Sequence, residues 1–215
     1  MPRLEVADMN DLRVSVTDID QWRWWKDSED MTLPELLARL RREGEETEAM
    51  RAGKALHRAL ELSGPSESEA LECDGYRFTF ECDCELALPD SREVKLSKTV
   101  MVDGDPVTLV GMVDAWHGTT IEDHKTTSQI DAERFMSSYQ WRMYLWMFAA
   151  RRFVWNIFAI APDAREPQHY RVREFQRLVQ YAYPNLTGDC MRELTEFVRF
   201  AREVDAYRTD RREAA

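Results

Sequence analysis

Two aspartates and one lysine, Asp114, Asp123 and Lys125, are the residues whose types and spacing could best do chemistry in this chain. Carboxylate oxygens are the hard ligands that Mg²⁺ and Mn²⁺ prefer, and these ions keep coordination positions open for a substrate phosphate. Such an ion polarises a phosphoryl oxygen and lowers the pKa of a bound water. A neighbouring lysine could position that water or stabilise the charge that develops on the phosphate. The three residues therefore suit metal-assisted hydrolysis of a phosphodiester, and the alternative is a solvated polar face of a sheet.

A strand, a tight turn and a second strand would bring these three side chains together. The stretch from Gly111 to Lys125 has the sequence GMVDAWHGTTIEDHK, and we predict a turn at His117-Gly118 because glycine accepts positive φ. A two-residue loop would pair Trp116 with Thr119 and place the two aspartates on a diagonal, about 7–8 Å apart. Because side chains alternate faces along a strand, all three charged groups would share one face. A four-residue loop keeps this parity, whereas a three-residue loop would break it.

Helices on either side of this stretch supply further polar residues at helical spacing. A helix predicted from about Glu46 to Leu62 carries His57 and Glu61 four residues apart, and therefore on one face. A later helix carries Gln140 and Tyr144 with the same spacing. A histidine of this kind is more often a packing residue, and Gln140 and Tyr144 could simply bridge a helix and the sheet. The side chains of Glu122 and His124 would point to the face opposite the aspartates.

The order of hydrophobic patterns predicts an α+β fold of the α/β/α type. We see neither an internal repeat nor a linker, so we expect one domain over residues 1–215, with residues 1–12 and 208–215 poorly ordered. The predicted elements are a helix begun by Ser15 or Thr17, a helix begun by Thr32, the helix 46–62, four or five strands over 71–125, a helix over 131–153, strands over 155–161 and 169–175, and a helix over 187–207.

Composition and charge limit the class of protein. The chain has 215 residues, 44% of them hydrophobic, and a net charge of −11. This charge argues against a protein that coats nucleic acid through bulk charge, but it does not exclude a local basic groove. No apolar run reaches the length of a membrane span and no signal-peptide pattern begins the chain, so we expect a cytoplasmic protein without a membrane partner. The cysteines lack a CxxC pair and are expected to be reduced structural thiols: Cys73, Cys82, Cys84 and Cys190.

Three tryptophans, Trp22, Trp24 and Trp25, lie within four residues of the first predicted helix. One interpretation is aromatic packing against a neighbouring helix. The other is a platform that stacks on nucleic-acid bases or separates strands.

Four motifs in a definite order together resemble the RecB-like branch of the PD-(D/E)XK nuclease superfamily, over roughly Val14 to Tyr183. They are a Gly-x-x-x-His-x-x-x-Glu helix, a G-x-x-D strand, a D-x-K-T strand and a Q-x-x-x-Y helix. In motif order, the matching positions are Gly53, His57 and Glu61; Gly111 and Asp114; Asp123, Lys125 and Thr126; Gln140 and Tyr144.

The resemblance implies a restriction-endonuclease-like nuclease core, in which helices flank a central mixed β-sheet. It implies that Asp114 and Asp123 are the principal ligands of one or two Mg²⁺ or Mn²⁺ ions. His57 would be a third ligand, and the backbone carbonyl of His124 would complete the site. Glu61 would support a second ion or hold a basic residue.

The same resemblance assigns the remaining motif residues. Lys125 would be the catalytic lysine, and Gln140 and Tyr144 would orient the active site and touch the nucleic-acid strand. Many relatives have threonine where this chain has Lys54. Several relatives also hold an iron–sulfur cluster with one upstream and three C-terminal cysteines, but Cys190 stands alone downstream, so no cluster is expected here.

These features together predict a metal-dependent DNA exonuclease of the kind that acts in DNA repair or recombination. The DNA would enter a narrow channel lined by Lys54, Arg58, Arg134 and Arg142. Some relatives form rings around DNA, so a homo-oligomer is possible by analogy, as is a helicase or single-strand-annealing partner. The alternatives are a structure-selective endonuclease or junction resolvase of the same superfamily, and a nuclease-derived DNA-binding module without turnover.

Overall fold

The computed structural model describes residues 12–62, 70–84 and 91–204. The elements in this part of the chain are, in order, β1 (Leu12–Ser15), α1 (Val16–Asp27), α2 (Leu33–Leu40), α3 (Glu48–Leu62), β2 (Ala70–Cys73), β3 (Tyr76–Phe80), β4 (Arg92–Val102), β5 (Asp105–His117), β6 (Thr120–Thr127), α4 (Ala132–Ser137), α5 (Gln140–Met147), β7 (Arg152–Pro162), β8 (His169–Tyr181) and α6 (Leu186–Glu203).

The described strands all belong to one mixed sheet, which confirms the predicted α+β fold. The sheet order is β1-β5-β6-β7-β8-β3-β2, and β4 pairs with β5. The pairs β1–β5, β6–β7 and β3–β8 are parallel, whereas β4–β5, β5–β6, β7–β8 and β2–β3 are antiparallel. No helix among the described residues is both long and apolar enough to cross a membrane.

Two apolar clusters cover the two faces of β7. Phe153, Trp155 and Ile157 pack with side chains of α1, α2, α5 and α6, whereas Phe158 and Ile160 pack with those of α3. A strand that is buried on both faces reads as a continuous hydrophobic run, and β7 has the sequence RFVWNIFAIAP. The helices therefore flank the sheet on both sides, with α3 alone on its side among the helices of the described part.

Local sequence signals set where the first two helices begin. The side chain of Ser15 accepts from the backbone N–H of Asp18 and the Asp18 carboxylate accepts from that of Ser15, so Ser15 rather than Thr17 caps α1. Thr32 and Glu35 form the same reciprocal pair at the start of α2, as predicted.

The predicted helix over 131–153 is wrong in its extent, because the chain forms two shorter helices with a break between them. At the break, one oxygen of the Asp20 carboxylate accepts from the Ser138 hydroxyl at 2.7 Å and from the N–H groups of Tyr139 and Gln140 at 2.9 and 3.3 Å. A carboxylate here satisfies the free N–H groups at the start of α5. Asp20 comes from another helix, so hydrophobic periodicity alone could not show the break.

The turn between β5 and β6 lies one residue later than predicted, at Gly118 and Thr119, with φ of +57° at Gly118. Trp116 therefore pairs with Ile121, and the predicted pairing with Thr119 is wrong. The loop still has two residues, so the parity of the side chains is kept. The last pair of the ladder is Ala115–Glu122, and Asp114 and Asp123 are the next residues beyond it on the two strands.

The chain ends agree only in part with the prediction. Leu12 was expected to be poorly ordered but is the first residue of β1. Residues 1–11 and 205–215 lie outside the described part, so the expectation for the rest of the two termini falls there.

Candidate active site

The candidate site lies at a gap in the pairing of β5. β4 pairs along one edge of β5 from Asp105 to Ala115, so β1 and β6 must share the other edge. On that edge β1 pairs with Val107–Val110 and β6 pairs with Ala115–His117. The segment Gly111–Asp114 has no strand partner there among the described strands. We call this segment of the edge the gap.

Side chains satisfy backbone groups on both sides of the gap. The hydroxyl of Tyr144 on α5 accepts from the N–H of Met112. The carboxylate of Asp114 accepts from the N–H of His124 at 2.5 Å and so links β5 to β6 where their ladder ends. A Cβ on Gly111 would lie 2.7 Å from Cε1 of Tyr144, so only glycine admits the ring here. Unpaired backbone donors thus explain two of the motif residues.

Asp123 and Lys125 meet beside the gap on β6. Asp123 is 2% exposed, and its Oδ2 forms an ion pair with the ammonium of Lys125. That ammonium also lies 5.3 Å from the ring centroid of Trp155. Burial raises the pKa of Asp123 to about 6, even though Lys125 opposes the shift. Burial lowers the pKa of Lys125, but the carboxylates of Asp123 and Asp114 outweigh it and raise that pKa overall, so this lysine stays protonated.

His57 reaches the site from α3. Its Nδ1 lies 3.7 Å from Oδ2 of Asp114. Burial, followed by the positive charge of Lys125, lowers the pKa of His57 to about 4. The imidazole is therefore neutral at pH 7 and has a lone pair for a metal ion. A Cβ on Gly53, one turn earlier, would lie 2.7 Å from Oγ1 of Thr126, so glycine lets α3 approach β6.

Glu122 and His124 point away from the aspartates, as predicted. His124 lies next to Phe158 in the α3-side layer, and its Nδ1 is 3.3 Å from Nδ2 of Asn156. The Glu122 carboxylate, 1% exposed, accepts from Asn156 at 2.7 Å and from Arg177 at 3.2 Å. This network fixes β6 from the side opposite Asp123 and Lys125.

Glu93 on β4 is a further carboxylate at the site that was not predicted from the sequence. The ladder skips Glu93, whose φ is +51°, between the pairs Arg92–Ala115 and Val94–Val113, and the charge of Asp114 acts on its carboxyl. Burial raises the pKa of Glu93 to about 7, with further contributions from Asp114, Glu61 and Asp123. The sequence around Glu93 indicates only an ordinary alternating strand. The register with β5 would have been needed to place it beside Asp114.

Glu61 lies at the C-terminal end of α3 and its side chain is exposed. Its negative charge contributes to the raised pKa of Glu93. Its backbone carbonyl, with that of Leu60, accepts from the guanidinium of Arg92 at 2.5 and 3.1 Å. Arg92 therefore joins the end of α3 to the start of β4. The charge of Glu61 acts on the site by raising the pKa of Glu93.

Gln140 and Tyr144 are buried, at 5% and 3% exposure, and that they touch a nucleic-acid strand stays a prediction. Nε2 of Gln140 lies 3.4 Å from Oδ1 of Asp123 and 3.3 Å from the Tyr144 hydroxyl. The pair bridges α5 and the sheet. Their position fits the other predicted role, which is to orient Asp123.

The four basic residues predicted to line a DNA channel differ in what they contact. Lys54 is paired with Glu46 at 2.5 Å, and Arg58 lies 3.9 Å from Asp74. Arg142 donates to the carbonyls at the end of α4 at 3.1 and 2.8 Å and stacks on two aromatic rings. Arg134 is exposed and has no carboxylate partner among the described residues.

The chemistry of the donor set fits a divalent cation. Within residues 12–62, 70–84 and 91–204, no three His, Cys, Asp or Glu side chains already converge closely enough to hold a metal. The site nevertheless places the carboxylates of Asp114 and Asp123 beside the Lys125 ammonium, and the Glu93 carboxyl near both aspartates. This leaves an excess of buried negative charge, which a Mg²⁺ or Mn²⁺ ion would offset.

Comparison with known proteins supports the fold. The chain matches no protein-family model and no curated protein. It is similar to a solved structure described as the crystal structure of SSO0001, with a TM-score of 0.50 and 14% sequence identity, over 91% of this chain and 79% of that chain. A likeness at this identity concerns the fold alone.

Proposed function

We propose that the chain is a Mg²⁺- or Mn²⁺-dependent deoxyribonuclease of the RecB-like branch of the PD-(D/E)XK superfamily, acting as an exonuclease on DNA ends. The observation that carries this proposal is the meeting of Asp114, Asp123 and Lys125 at the gap, with His57 reaching the same place from α3. These residues come from α3, β5 and β6, and their order along the chain is that of the superfamily's motifs.

The metal would be held by Asp114 and Asp123, with His57 as a neutral third donor and Glu93 as a further carboxylate within reach of Asp114. When bound, a divalent ion supplies electrophilic activation of the phosphate and a more acidic water. Buried carboxylates with raised pKa values lose their protons more readily as a cation binds.

Lys125 would act on the phosphate that undergoes cleavage. It is protonated, half-buried, and directed by Asp123 on one side and the face of Trp155 on the other. A fixed ammonium stabilises negative charge as it develops on the phosphoryl oxygens. Gln140 holds the second oxygen of Asp123, so that carboxylate keeps its orientation toward the gap.

The test is degradation of linear DNA labelled at the 5′ or the 3′ end, in Mg²⁺ and in Mn²⁺. We expect Asp123→Asn and Lys125→Met to lower nucleotide release by at least about a thousandfold, since each removes charge that acts on the transition state. Asp105→Asn is the matched control, because Asp105 lies on β5 but is 62% exposed and pairs with Arg202. Undiminished release by purified Asp123→Asn would rule out the proposed site.

Covalently closed circular DNA distinguishes the related alternatives. An exonuclease spares the circle, whereas a structure-selective endonuclease or junction resolvase cuts a circle that carries its target structure. Binding of Mn²⁺ and DNA without degradation of either substrate would identify a DNA-binding module without turnover.

A further inference from the structure

The three clustered tryptophans of α1 have different surroundings. The rings of Trp22 and Trp25 pack on α6, each at 5.6 Å, against Phe197 and Phe200 respectively. The packing interpretation is therefore confirmed for these two. Trp24 is half-buried, and two guanidinium groups lie over its ring.

Two arginines from other helices lie against Trp24. The guanidinium carbons of Arg39 on α2 and Arg134 on α4 are 5.4 and 5.8 Å from the centroid of its ring. A guanidinium at this distance is attracted to the face of the ring and is held there with little loss of its hydrogen-bonding capacity. We call Trp24, Arg39 and Arg134 the Trp24 cluster.

The two arginines of the Trp24 cluster have no carboxylate paired with them in the described part of the chain. The chain has 40 acidic and 29 basic residues, and exposed arginines such as Arg51 and Arg199 are paired with carboxylates at 2.9 Å. Arg39 and Arg134 are exposed, and neither forms an ion pair with any carboxylate of the described ranges. Their N–H groups are open to an anion from outside.

The Trp24 cluster adjoins the candidate active site. Trp24 follows Asp20 by one helical turn, and the Asp20 carboxylate both caps α5 at Gln140 and contributes to the raised pKa of Lys125. Next to Arg134, the ring of Phe135 lies 5.6 Å from that of Trp155, the ring beneath the Lys125 ammonium. Helix α1 thus carries both Asp20, near the site, and Trp24. Helix α4 carries both Phe135, which contacts Trp155, and Arg134.

We propose that the Trp24 cluster binds a single strand of nucleic acid beside the active site. Arg39 and Arg134 contact two backbone phosphates, and the exposed part of the Trp24 ring contacts an unpaired base. A single strand is the occupant that fits, because base–aromatic stacking needs bases that are not already stacked in a duplex. The inference rests on the proposed nuclease function for its biological meaning, but strand binding is measurable without any cleavage.

The test measures binding of a fluorescent oligothymidylate by anisotropy in EDTA, at several salt concentrations. We expect Arg39→Ala/Arg134→Ala to reduce the slope of log K against log salt by about 1.4, since each phosphate contact on a single strand contributes about 0.7. We expect Trp24→Leu to weaken binding about 5- to 100-fold, with most of the affinity kept in Trp24→Phe, which retains an aromatic face.

The matched control is Arg165→Ala/Arg173→Ala, which removes the same charge from two exposed arginines outside the cluster. This control should leave the salt slope unchanged. An equal loss of slope in both double variants would overturn the inference, because bulk charge would then account for the binding. Failure of the wild-type chain to bind the oligonucleotide, or equal binding by wild type and Trp24→Leu, would also overturn it.

Failure of this inference differs from failure of the proposed function. Strand binding is measured in EDTA and therefore does not depend on metal binding or on cleavage. A chain that binds through the cluster but never degrades DNA would refute the nuclease proposal alone. A chain that degrades DNA while its cluster variants bind normally would refute the cluster alone.

Discussion

Replacing Gly53 by alanine tests whether the approach of α3 to β6 positions the site. A Cβ on Gly53 would lie 2.7 Å from Oγ1 of Thr126, and the next atom in range, Cβ of Thr126, is 3.9 Å away. The clash therefore comes from one hydroxyl group. Because threonine is branched at Cβ and half-buried here, it cannot rotate away freely.

Two opposing effects set the size of the change. Alanine in a helix interior is more stable than glycine by about 1 kcal/mol. Overpacking a close contact costs about 1–3 kcal/mol. We expect Gly53→Ala to be neutral or destabilising by up to about 2 kcal/mol in the wild-type background, but stabilising by about 1 kcal/mol when Thr126→Ala has removed the hydroxyl.

A double-mutant cycle of Gly53→Ala and Thr126→Ala measures this coupling by thermal or denaturant unfolding. We expect an interaction free energy of about 1–3 kcal/mol, where 1 kcal/mol shifts the melting temperature by about 2–4 °C in a chain of this size. Equal stabilisation by Gly53→Ala in both backgrounds would refute the close approach of α3. If α3 does carry a metal ligand, Gly53→Ala should also weaken Mn²⁺ binding, and Thr126→Ala should restore it, since His57 moves with the helix.

Two further predictions concern groups around the gap. The pKa of Glu93 is raised to about 7, so this carboxyl is largely protonated below that pH, and binding of a cation must displace its proton. Mn²⁺ affinity measured by calorimetry should therefore rise between about pH 6 and pH 8, with proton release detectable in buffers of different ionisation enthalpy. Glu93→Gln should show a smaller rise in affinity and should release fewer protons. Identical pH profiles for wild type and Glu93→Gln would exclude Glu93 from the site. Tyr144→Phe should lower the free energy of unfolding by about 1–3 kcal/mol, since it leaves the N–H of Met112 without its acceptor. Single-strand binding should stay unchanged because Tyr144 is buried. Loss of strand binding at wild-type stability would contradict this position of Tyr144.

Local rules were enough to predict most elements and to place Asp114, Asp123 and Lys125 on one face of the sheet. The caps at Ser15 and Thr32 are local interactions, and the alternation in β5 and β6 is a property of each strand by itself. Parity explains why Asp114 and Asp123 could be placed on one face even though the turn was placed one residue too early. When a two-residue loop moves by one position, the faces on which the side chains lie do not change, so this placement stays correct.

Features that depend on partners distant in the chain could not be predicted in this way. The break between α4 and α5 depends on Asp20, which lies more than a hundred residues earlier. Glu93 was missed for the same kind of reason, because its place beside Asp114 follows from the pairing of β4 with β5. Burial of Gln140 and Tyr144 depends on how closely α5 approaches the sheet, and a motif spacing carries no information on that depth.

The position of the site follows from an incomplete ladder. β1 has only four residues and β6 pairs with β5 over only three, so the edge of β5 between them has backbone groups without a strand partner. Such groups are costly to bury unless polar side chains reach them, and here the Tyr144 hydroxyl reaches the N–H of Met112. The Asp114 carboxylate, which lies on the gap, accepts from the N–H of His124 on β6. A β1 strand extended by four residues would pair with Gly111–Asp114 and occupy the space of the Tyr144 ring. The shortness of β1 is therefore what leaves room for charged side chains in the middle of the sheet, and the divalent cation that we propose would offset their negative charge.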